Sequence, residues 1–401
     1  MMVSTQRHRT VIVGGGSAGI TVAARLRRSG ERDVAIIDPA TRHYYQPLWT
    51  LVGGGLAEIG ESTRPQASVV PRGVRSIRRS AVHIDPDVRE VTLDDGRTIG
   101  YECLVVCPGI QLDWSRIPGL EATLGEEGVS SNYLPETAPA TWRFIRDTRS
   151  GTAVFGMPSG PIKCGGAPQK IAYLAADYWR REGVLGNIDV HLVLPTSTMF
   201  AVPEFSRVLD RVVRRYGITV HFDSEVSEVR SGSKEVVVTH NGTRVATTLP
   251  YTMAHLVPPQ SAPDWIKKSV LADPESPAGY VLVDQWTMQH PRYPDVFALG
   301  DVGSSPNSKT GAAVRKQAPV VVRNLLARMN GLKPPARYDG YASCPLTTAR
   351  GKTLLAEFDY SMKPTPSIPV IDTTRERTDM WYLKRYGLPF LYWNLMLRGR
   401  A

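Results

Sequence analysis

Short apolar runs alternate with amphipathic stretches at the start of the chain. Residues 11–13 and 34–37 are apolar throughout, and residues 20–29 between them carry apolar side chains at helical spacing. Continuous apolar runs of this length are typical of strands buried on both faces, and helical spacing indicates a helix with one buried side. These residues therefore predict a strand, a helix and a second strand, which together form the βαβ unit of a parallel sheet.

The same alternation returns further along the chain. Strand-like, mainly apolar runs occur at residues 152–155, 190–194 and 296–299. Each is followed by a predicted helix, and these helices begin near residues 167, 206 and 311. Residues 69–115 instead alternate in the manner of a β-meander, with a hairpin signal at residues 94–96.

This pattern predicts an α/β fold with two Rossmann-like dinucleotide-binding domains and a short C-terminal segment. The first domain is discontinuous because a strand–loop–helix unit near residue 300 returns to it. The predicted boundaries are residues 1–115 plus 275–345 for the first domain, 116–274 for the second, and 346–401 for the C-terminal segment.

Three glycines follow the first apolar run as a G-x-G-x-x-G turn, at Gly14, Gly16 and Gly19. Such a turn lets the backbone approach a pyrophosphate, and the helix after it presents amide donors to the phosphates. Asp38 ends the second apolar run, where a carboxylate can accept from a ribose hydroxyl. We therefore predict a dinucleotide site. The second α/β unit lacks this fingerprint and has a cysteine-containing loop in its place.

Four cysteines are present in 401 residues, too few for a secreted disulfide scaffold. Cys103 and Cys107 fall on one face of one strand, about 13 Å apart, so they cannot bridge each other and we interpret both as buried apolar side chains. Cys164 precedes a predicted helix and adjoins Lys163, and both features favour its thiolate. Cys344 lies far away in the sequence and has no such helix.

The net charge of +10 suits an anionic lipid surface, and no recognised motif supports a nucleic-acid partner. Residues 1–9 are too short and polar for a signal peptide, and no run of about 20 apolar residues could span a bilayer. The histidines show no metal-ligand spacing. Residues 378–401 mix aromatic side chains with cations, which fits either a membrane interface or a packed C-terminal helix.

Several stretches together resemble the sulfide:quinone oxidoreductases, in the branch that includes the mitochondrial enzymes of the two-dinucleotide-binding-domain flavoproteins. The resemblance runs from residue 11 to about residue 398. Its most specific stretches are residues 43–53, 162–170, 297–301 with 308–310, 338–346, 355–360 and 390–394.

The resemblance implies FAD as the cofactor of the first domain. By position it assigns cofactor contacts to the glycine turn and to Ser17, Ala18, Asp38, Gln46, Val82, Gly109, Asp301, Lys309 and Thr310. It also implies that Cys164 and Cys344 form the redox-active pair. Asp38 stands where the family more often has Glu, and Cys107-Pro108-Gly109 replaces an Ala-Thr-Gly-like turn.

The activity implied by the resemblance is oxidation of hydrogen sulfide. Two electrons would pass through FAD to a quinone, either ubiquinone or menaquinone. A small acceptor such as a thiol, sulfite or cyanide would take the sulfane sulfur. His255 could move protons, although a structural histidine explains it equally well. The alternative enzyme is a type II NADH:quinone dehydrogenase. The alternative that is not an enzyme is a flavin-bound scaffold or binding protein without turnover.

The resemblance also bears on the C-terminal segment. Phe390, Tyr392 and Trp393 would border the quinone entrance. We expect peripheral attachment to the inner, cytoplasmic face of a bacterial plasma membrane, weaker than in relatives that continue into further amphipathic sequence. A homodimer is a further expectation.

Overall fold

The computed structural model describes residues 6–401. Residues 1–5 lie outside the described residues; they belong to the predicted first domain and to the stretch that was considered as a signal peptide. The strands are β1 (Gln6–Val13), β2 (Val34–Ile37), β3 (Arg42–Tyr44), β4 (Thr63–Pro65), β5 (Arg75–Ile77), β6 (Ala81–Asp85), β7 (Glu90–Leu93), β8 (Thr98–Val106), β9 (Gln111–Leu112), β10 (Val129–Ser130), β11 (Gly151–Gly156), β12 (Ile188–Val193), β13 (Thr219–His221), β14 (Ser224–Arg230), β15 (Glu235–His240), β16 (Ala246–Pro250), β17 (Met253–Leu256), β18 (Gln260–Ser261), β19 (Val296–Ala298), β20 (Ala342–Ala349) and β21 (Lys352–Phe358).

The α-helices connect these strands and close the chain. They are α1 (Ser17–Arg28), α2 (Trp49–Gly53), α3 (Gln66–Val69), α4 (Leu120–Thr123), α5 (Ala138–Asp147), α6 (Ala167–Arg181), α7 (Pro203–Tyr216), α8 (Asp264–Lys267), α9 (Gly311–Met329), α10 (Thr378–Tyr382) and α11 (Leu388–Asn394).

The first sheet has the order β5-β2-β1-β8-β7-β6, and β19 pairs with β8. Strands β5, β2, β1, β8 and β19 run parallel, while β6, β7 and β8 form the predicted antiparallel meander. The C-terminal half of β1 is fully buried because α1 and α9 cover one face of the sheet. This arrangement brings the ends of β1, β2 and β19 to one edge, where ligands of doubly wound sheets bind.

The second sheet has the order β10-β17-β11-β12-β13, with all its pairs parallel. Helix α6 packs beside β11 and β12, and its buried face is continuous with the core of the first sheet. A separate three-stranded antiparallel sheet, β14-β15-β16, covers the other side. The α/β class with two Rossmann-like sheets is thereby confirmed.

The strands β20 and β21 form an antiparallel hairpin whose first strand carries Cys344. The predicted boundary between residues 345 and 346 falls inside β20. The hairpin packs on α6 and α9 as one unit, so it is not divided at that point. Beyond it, α10, a π-helical turn over Leu383–Gly387 and α11 follow one another. Pro389 lies in the first turn of α11, and the wider π turn precedes it.

Within residues 6–401, none of the helices combines the length and apolar character needed to cross a bilayer.

Candidate active site

The glycine turn joins β1 to α1 at the edge described above. Gly14 has φ +105°, and a Cβ there would overlap the Cys107 carbonyl, so only glycine fits. A Cβ on Gly19 would overlap the Gly14 carbonyl, whereas nothing lies within 4 Å of a Cβ on Gly16. The turn is therefore tight on the protein side and open on the side where α1 begins.

Polar groups of the predicted set surround this opening. The Asp38 carboxylate accepts from the backbone N–H of Gly15 and of Ala40, and the Gln66 amide donates to the Gly15 carbonyl at 2.8 Å. Ser17 begins α1 and is half-buried, and Ala18 beside it is buried. These residues place one carboxylate beside the first amides of α1.

A second carboxylate lies at the end of β19. Asp301 is part-buried, and among the described residues no hydrogen bond holds its carboxylate. Burial raises its pKa, and the positive charges of Lys309 and Lys163 oppose that effect. The Lys309 ammonium donates to the Gly303 carbonyl at 2.8 Å and lies 3.9 Å from the centre of the Tyr280 ring.

The start of α9 completes this side of the site. The Thr310 hydroxyl accepts from the Ala313 N–H and caps the helix. Gly109, at φ +81°, follows Cys107 at the end of β8. The open turn, the helix start and the two carboxylates suit a flavin nucleotide, with amide donors for phosphates and acceptors for hydroxyl groups.

Val82 lies elsewhere. It is half exposed on β6, and β8 and β7 separate that strand from β1. Sheet order therefore does not bring Val82 to the glycine turn, and its role in FAD binding stays a prediction.

The fold brings Cys164 and Cys344 together, with their sulfur atoms 3.4 Å apart. Cys164 lies in the loop between β11 and α6 at φ +56°, and its N–H donates to the Lys309 carbonyl at 2.8 Å. A Cβ on Gly166 would overlap Leu346 and come within 2.9 Å of the Cys344 sulfur. The glycine therefore lets the start of α6 approach β20 closely enough for the two sulfur atoms to meet.

Lys170 is the residue that sequence reasoning missed here. Its ammonium group donates to the Cys164 sulfur at 3.1 Å and lies 4.0 Å from the Cys344 sulfur. The sequence could have indicated this contact, because a side chain in the first turn of α6 is directed back toward the loop that contains Cys164. Lys163, which was expected to act on Cys164, instead donates to the Gln46 side chain at 2.8 Å.

The electrostatics of the pair are asymmetric. The hydrogen bond from Cys344 holds the pKa of Cys164 well below its ordinary value, and Lys170 adds to this against the effect of burial. The same hydrogen bond, burial and the charge of Cys164 raise the pKa of Cys344 well above its ordinary value. These shifts favour the thiolate at Cys164 and the thiol at Cys344.

The C-terminal segment closes the site. The Tyr392 hydroxyl lies 2.7 Å from the Ser17 hydroxyl and 2.5 Å from His43 Nε2, and its ring packs 4.6 Å from the Tyr45 ring. Lys384, in the π-helical turn, is buried and donates to the Pro47 carbonyl at 2.7 Å. The sequence offered no signal for these contacts, because they join residues more than 300 positions apart.

The three aromatic residues expected at a quinone entrance have different environments. Tyr392 is buried in the contacts just given, Trp393 packs beside His43 with the Arg64 guanidinium over its ring, and Phe390 is exposed. Phe390 therefore faces outward, while Tyr392 faces the glycine turn.

His255 is fully buried on β17. Its Nε2 accepts from the Asn132 N–H at 2.9 Å, and its ring stacks on Phe155. Burial lowers its pKa to about 3, which keeps the ring neutral. These contacts favour the structural alternative over a proton-transfer role.

Comparisons with known proteins agree with this geometry. Residues 8–318 match the family model described as pyridine nucleotide-disulphide oxidoreductase. The chain is 40% identical over 394 residues to the mitochondrial sulfide:quinone oxidoreductase of Mus musculus, covering 98% of this chain and 87% of that protein. It is also 40% identical over 396 residues to the mitochondrial sulfide:quinone oxidoreductase of Dictyostelium discoideum, covering 98% and 86%.

Among solved structures, the sulfide:quinone oxidoreductase from Aquifex aeolicus superposes with a TM-score of 0.81 at 19% identity, covering 99% of this chain and 92% of that one. Similarity to a type II NADH:quinone oxidoreductase of Mycobacterium tuberculosis is confined to 82 residues at 35% identity, 20% of this chain and 18% of that one. The alternative enzyme class is therefore the weaker match.

The expected location is corrected by the same comparisons. Attachment to a bacterial plasma membrane was predicted, but the full-length relatives from mouse and Dictyostelium are mitochondrial proteins of eukaryotes. The prediction of a bacterial location is wrong on this finding.

Family membership implies a flavin cofactor, which the residues around the glycine turn suit. The full-length identity, the matched family model and the paired cysteines together show that the chain belongs to the sulfide:quinone oxidoreductase family, within the pyridine nucleotide-disulphide oxidoreductases.

Proposed function

We propose that this protein oxidises hydrogen sulfide at the Cys164–Cys344 pair, with FAD as its cofactor and a quinone as the final electron acceptor. The observation that carries the proposal is the sulfur pair, 3.4 Å apart, with the Lys170 ammonium 3.1 Å from one sulfur. The backbone bond from Cys164 to Lys309 links this pair directly to the segment that suits the flavin. FAD, when bound, supplies the two-electron acceptor that passes electrons on to quinone.

The resting form is a disulfide, or a bridge with one further sulfur. A disulfide requires the two sulfur atoms to approach to about 2.05 Å, and a single bridging sulfur holds its neighbours about 3.3 Å apart. The two sulfur atoms are 3.4 Å apart, which suits the bridged form without movement of the backbone. The direct disulfide would form after rotation of the side chains.

Hydrosulfide attacks the sulfur of Cys344. The bond between Cys344 and Cys164 breaks, a new sulfur–sulfur bond forms on Cys344 as a persulfide, and Cys164 leaves as the thiolate. The lowered pKa of Cys164 makes it the better leaving group, and the Lys170 ammonium stabilises the charge that develops on it.

A small nucleophile then takes the outer sulfur from Cys344, which returns to the thiol. Re-forming the bond between the two cysteines would release two electrons and the remaining proton, and FAD, when bound, would supply the acceptor for the electrons. The nucleophile is a thiol, sulfite or cyanide, because each of these accepts a sulfane sulfur.

The homodimer stays a prediction.

Quinone is lipid-soluble, so its site must face a bilayer. Tyr382, Tyr386 and Phe390 recur every four residues along the C-terminal helices and are 57%, 56% and 61% exposed. We name these three residues the aromatic stripe. Exposed aromatic rings in a row suit the interfacial region of a membrane. Arg398 and Arg400 are exposed nearby in sequence, whereas Arg385 is paired with Glu61.

The cysteine assignment gives a direct test. Cys164→Ser and Cys344→Ser should each abolish sulfide-dependent quinone reduction, because neither leaves a second sulfur for the exchange. Cys103→Ser and Cys107→Ser serve as matched controls and should retain turnover, since both side chains lie in the core of the first sheet. Steady-state quinone reduction measures the effect, and sustained turnover in either Cys164→Ser or Cys344→Ser would refute the proposal.

The thiolate assignment predicts a pH profile. Because the pKa of Cys164 is lowered, its reaction with iodoacetamide in the reduced protein should stay fast as pH falls through the ordinary cysteine value of about 8.5, and should decline only well below it. Lys170→Met should move the profile upward. Rates of alkylation at each pH, with the modified residue identified by mass, make the measurement. An ordinary cysteine profile in the wild type would contradict the assignment.

The aromatic stripe predicts membrane binding that is separable from sulfide chemistry. Replacing Tyr382, Tyr386 and Phe390 together by serine should weaken binding to vesicles containing anionic lipid by about a hundredfold or more, at about 1 kcal/mol or more per buried ring. Reduction of the flavin by sulfide should be unchanged. Cosedimentation with vesicles provides the measurement, and a triple variant that binds as tightly as the wild type would exclude this surface.

A further inference from the structure

Two imidazole rings meet on one face of the second sheet. His191 lies on β12, and His221 lies on the neighbouring edge strand β13. His221 pairs with Val193, two residues beyond His191, so the two imidazole side chains share one face of the sheet. Spacing along the sequence did not indicate this pair, because 30 positions separate the two histidines and only the strand pairing brings them together.

The two rings face each other through single nitrogen atoms. His191 Nδ1 and His221 Nε2 are 2.9 Å apart, the ring centres are 5.2 Å apart and the ring planes are inclined by 31°. A hydrogen bond between two neutral imidazoles needs one proton between two nitrogen lone pairs. Among the described residues, no other side chain forms a hydrogen bond or an ion pair with either ring. Two nitrogen ligands therefore converge with one exchangeable proton between them.

Both rings are accessible and uncharged. His191 and His221 are half-buried, and His221 borders a cavity of about 440 Å³ that is lined by residues of β13, β14, β15 and β16. Burial lowers the pKa of each imidazole; the charge of Asp189 opposes this at His191, and the charge of His191 adds to it at His221. The neutral imidazole is the form that binds a metal ion, and the cavity has room for water ligands.

The separation of the two nitrogens is close to that of a chelate. Tetrahedral Zn²⁺ with two imidazole bonds of about 2.05 Å sets its nitrogen ligands about 3.3 Å apart. The two nitrogens at 2.9 Å would separate by about 0.4 Å, a movement that rotation of the half-buried rings can supply. The ion then replaces the proton between the rings. Within residues 6–401, no group of three or more histidine, cysteine or carboxylate side chains could hold a metal ion, so water completes the coordination.

His240 borders the same cavity but is not a ligand. Its Nδ1 accepts from the backbone N–H of Gly242 at 3.2 Å and of Thr243 at 3.1 Å. In the neutral ring, Nε2 therefore carries the proton and has no lone pair for a metal ion. This difference makes His240 a matched control for the pair.

We propose that His191 and His221 bind one Zn²⁺ ion as a two-histidine chelate, which links β12 to the edge strand β13 and is completed by water. The site lies in the second domain and does not depend on the sulfur chemistry of the proposed function.

Zinc chloride is the probe, and the flavin-containing Cys164→Ser/Cys344→Ser protein is the parent, because thiolates also bind zinc. No sulfide is added, since it would precipitate the metal. Calorimetry should show zinc binding that His191→Gln and His221→Gln each weaken at least tenfold and that His240→Gln leaves unchanged. Magnesium chloride should not bind, because Mg²⁺ prefers oxygen ligands. A parent that binds no zinc, or equal zinc affinities in the parent and both glutamine variants of the pair, would overturn the proposal.

Two further measurements keep the test independent of folding defects in the variants. Zinc should raise the Tm of the parent and of His240→Gln, and should leave the Tm of His191→Gln and His221→Gln unchanged. In the protein without substitutions, zinc should protect His191 and His221 from diethyl pyrocarbonate, with the modified residues identified by mass, and should not protect His240. Modification of His191 and His221 at the same rate with and without zinc would refute the site.

Discussion

The approach of the Cys164 and Cys344 sulfur atoms to 3.4 Å, beside the Lys170 ammonium, is the interaction on which the site depends. A buried negative charge is expensive unless it is compensated, so three elements must meet within a few ångströms. Helix α6 brings the lysine, the loop before it brings Cys164, and β20 brings Cys344. Gly166 matters because a side chain there would push β20 away from the helix.

The remainder of the molecule holds these elements in register. The buried Asp177 carboxylate on α6 accepts from the Arg350 N–H at the β20–β21 turn and from the Tyr216 hydroxyl on α7. The Cys164 loop is tied to Lys309 in the first domain, and Tyr392 ties the C-terminal segment to the start of α1. The cofactor region, the sulfur pair and the outward-facing aromatic stripe are therefore connected by direct contacts.

Much of the fold could be predicted because its signals are local. The run of residues 34–37 matches β2, and the glycine turn follows from the steric demand at Gly14 and Gly19. The helix after Cys164 was likewise expected from its own residues. What could not be predicted depends on distant contacts: Lys170 was passed over in favour of Lys163, and Lys384 and Tyr392 had no local pattern to mark them. The pairing of the two cysteines came from resemblance, because no spacing rule joins residues so far apart.

Anaerobic titration of the purified flavin-containing protein with sulfide tests the central claim most directly. The account predicts that an equimolar amount of sulfide leaves one added sulfur atom on Cys344, found by mass spectrometry of the alkylated protein, and that the flavin bleaches when added sulfite then removes that sulfur. It also predicts that NADH leaves the flavin oxidised. Bleaching by NADH without bleaching by sulfide followed by sulfite, or an added sulfur confined to a cysteine other than Cys344, would contradict it.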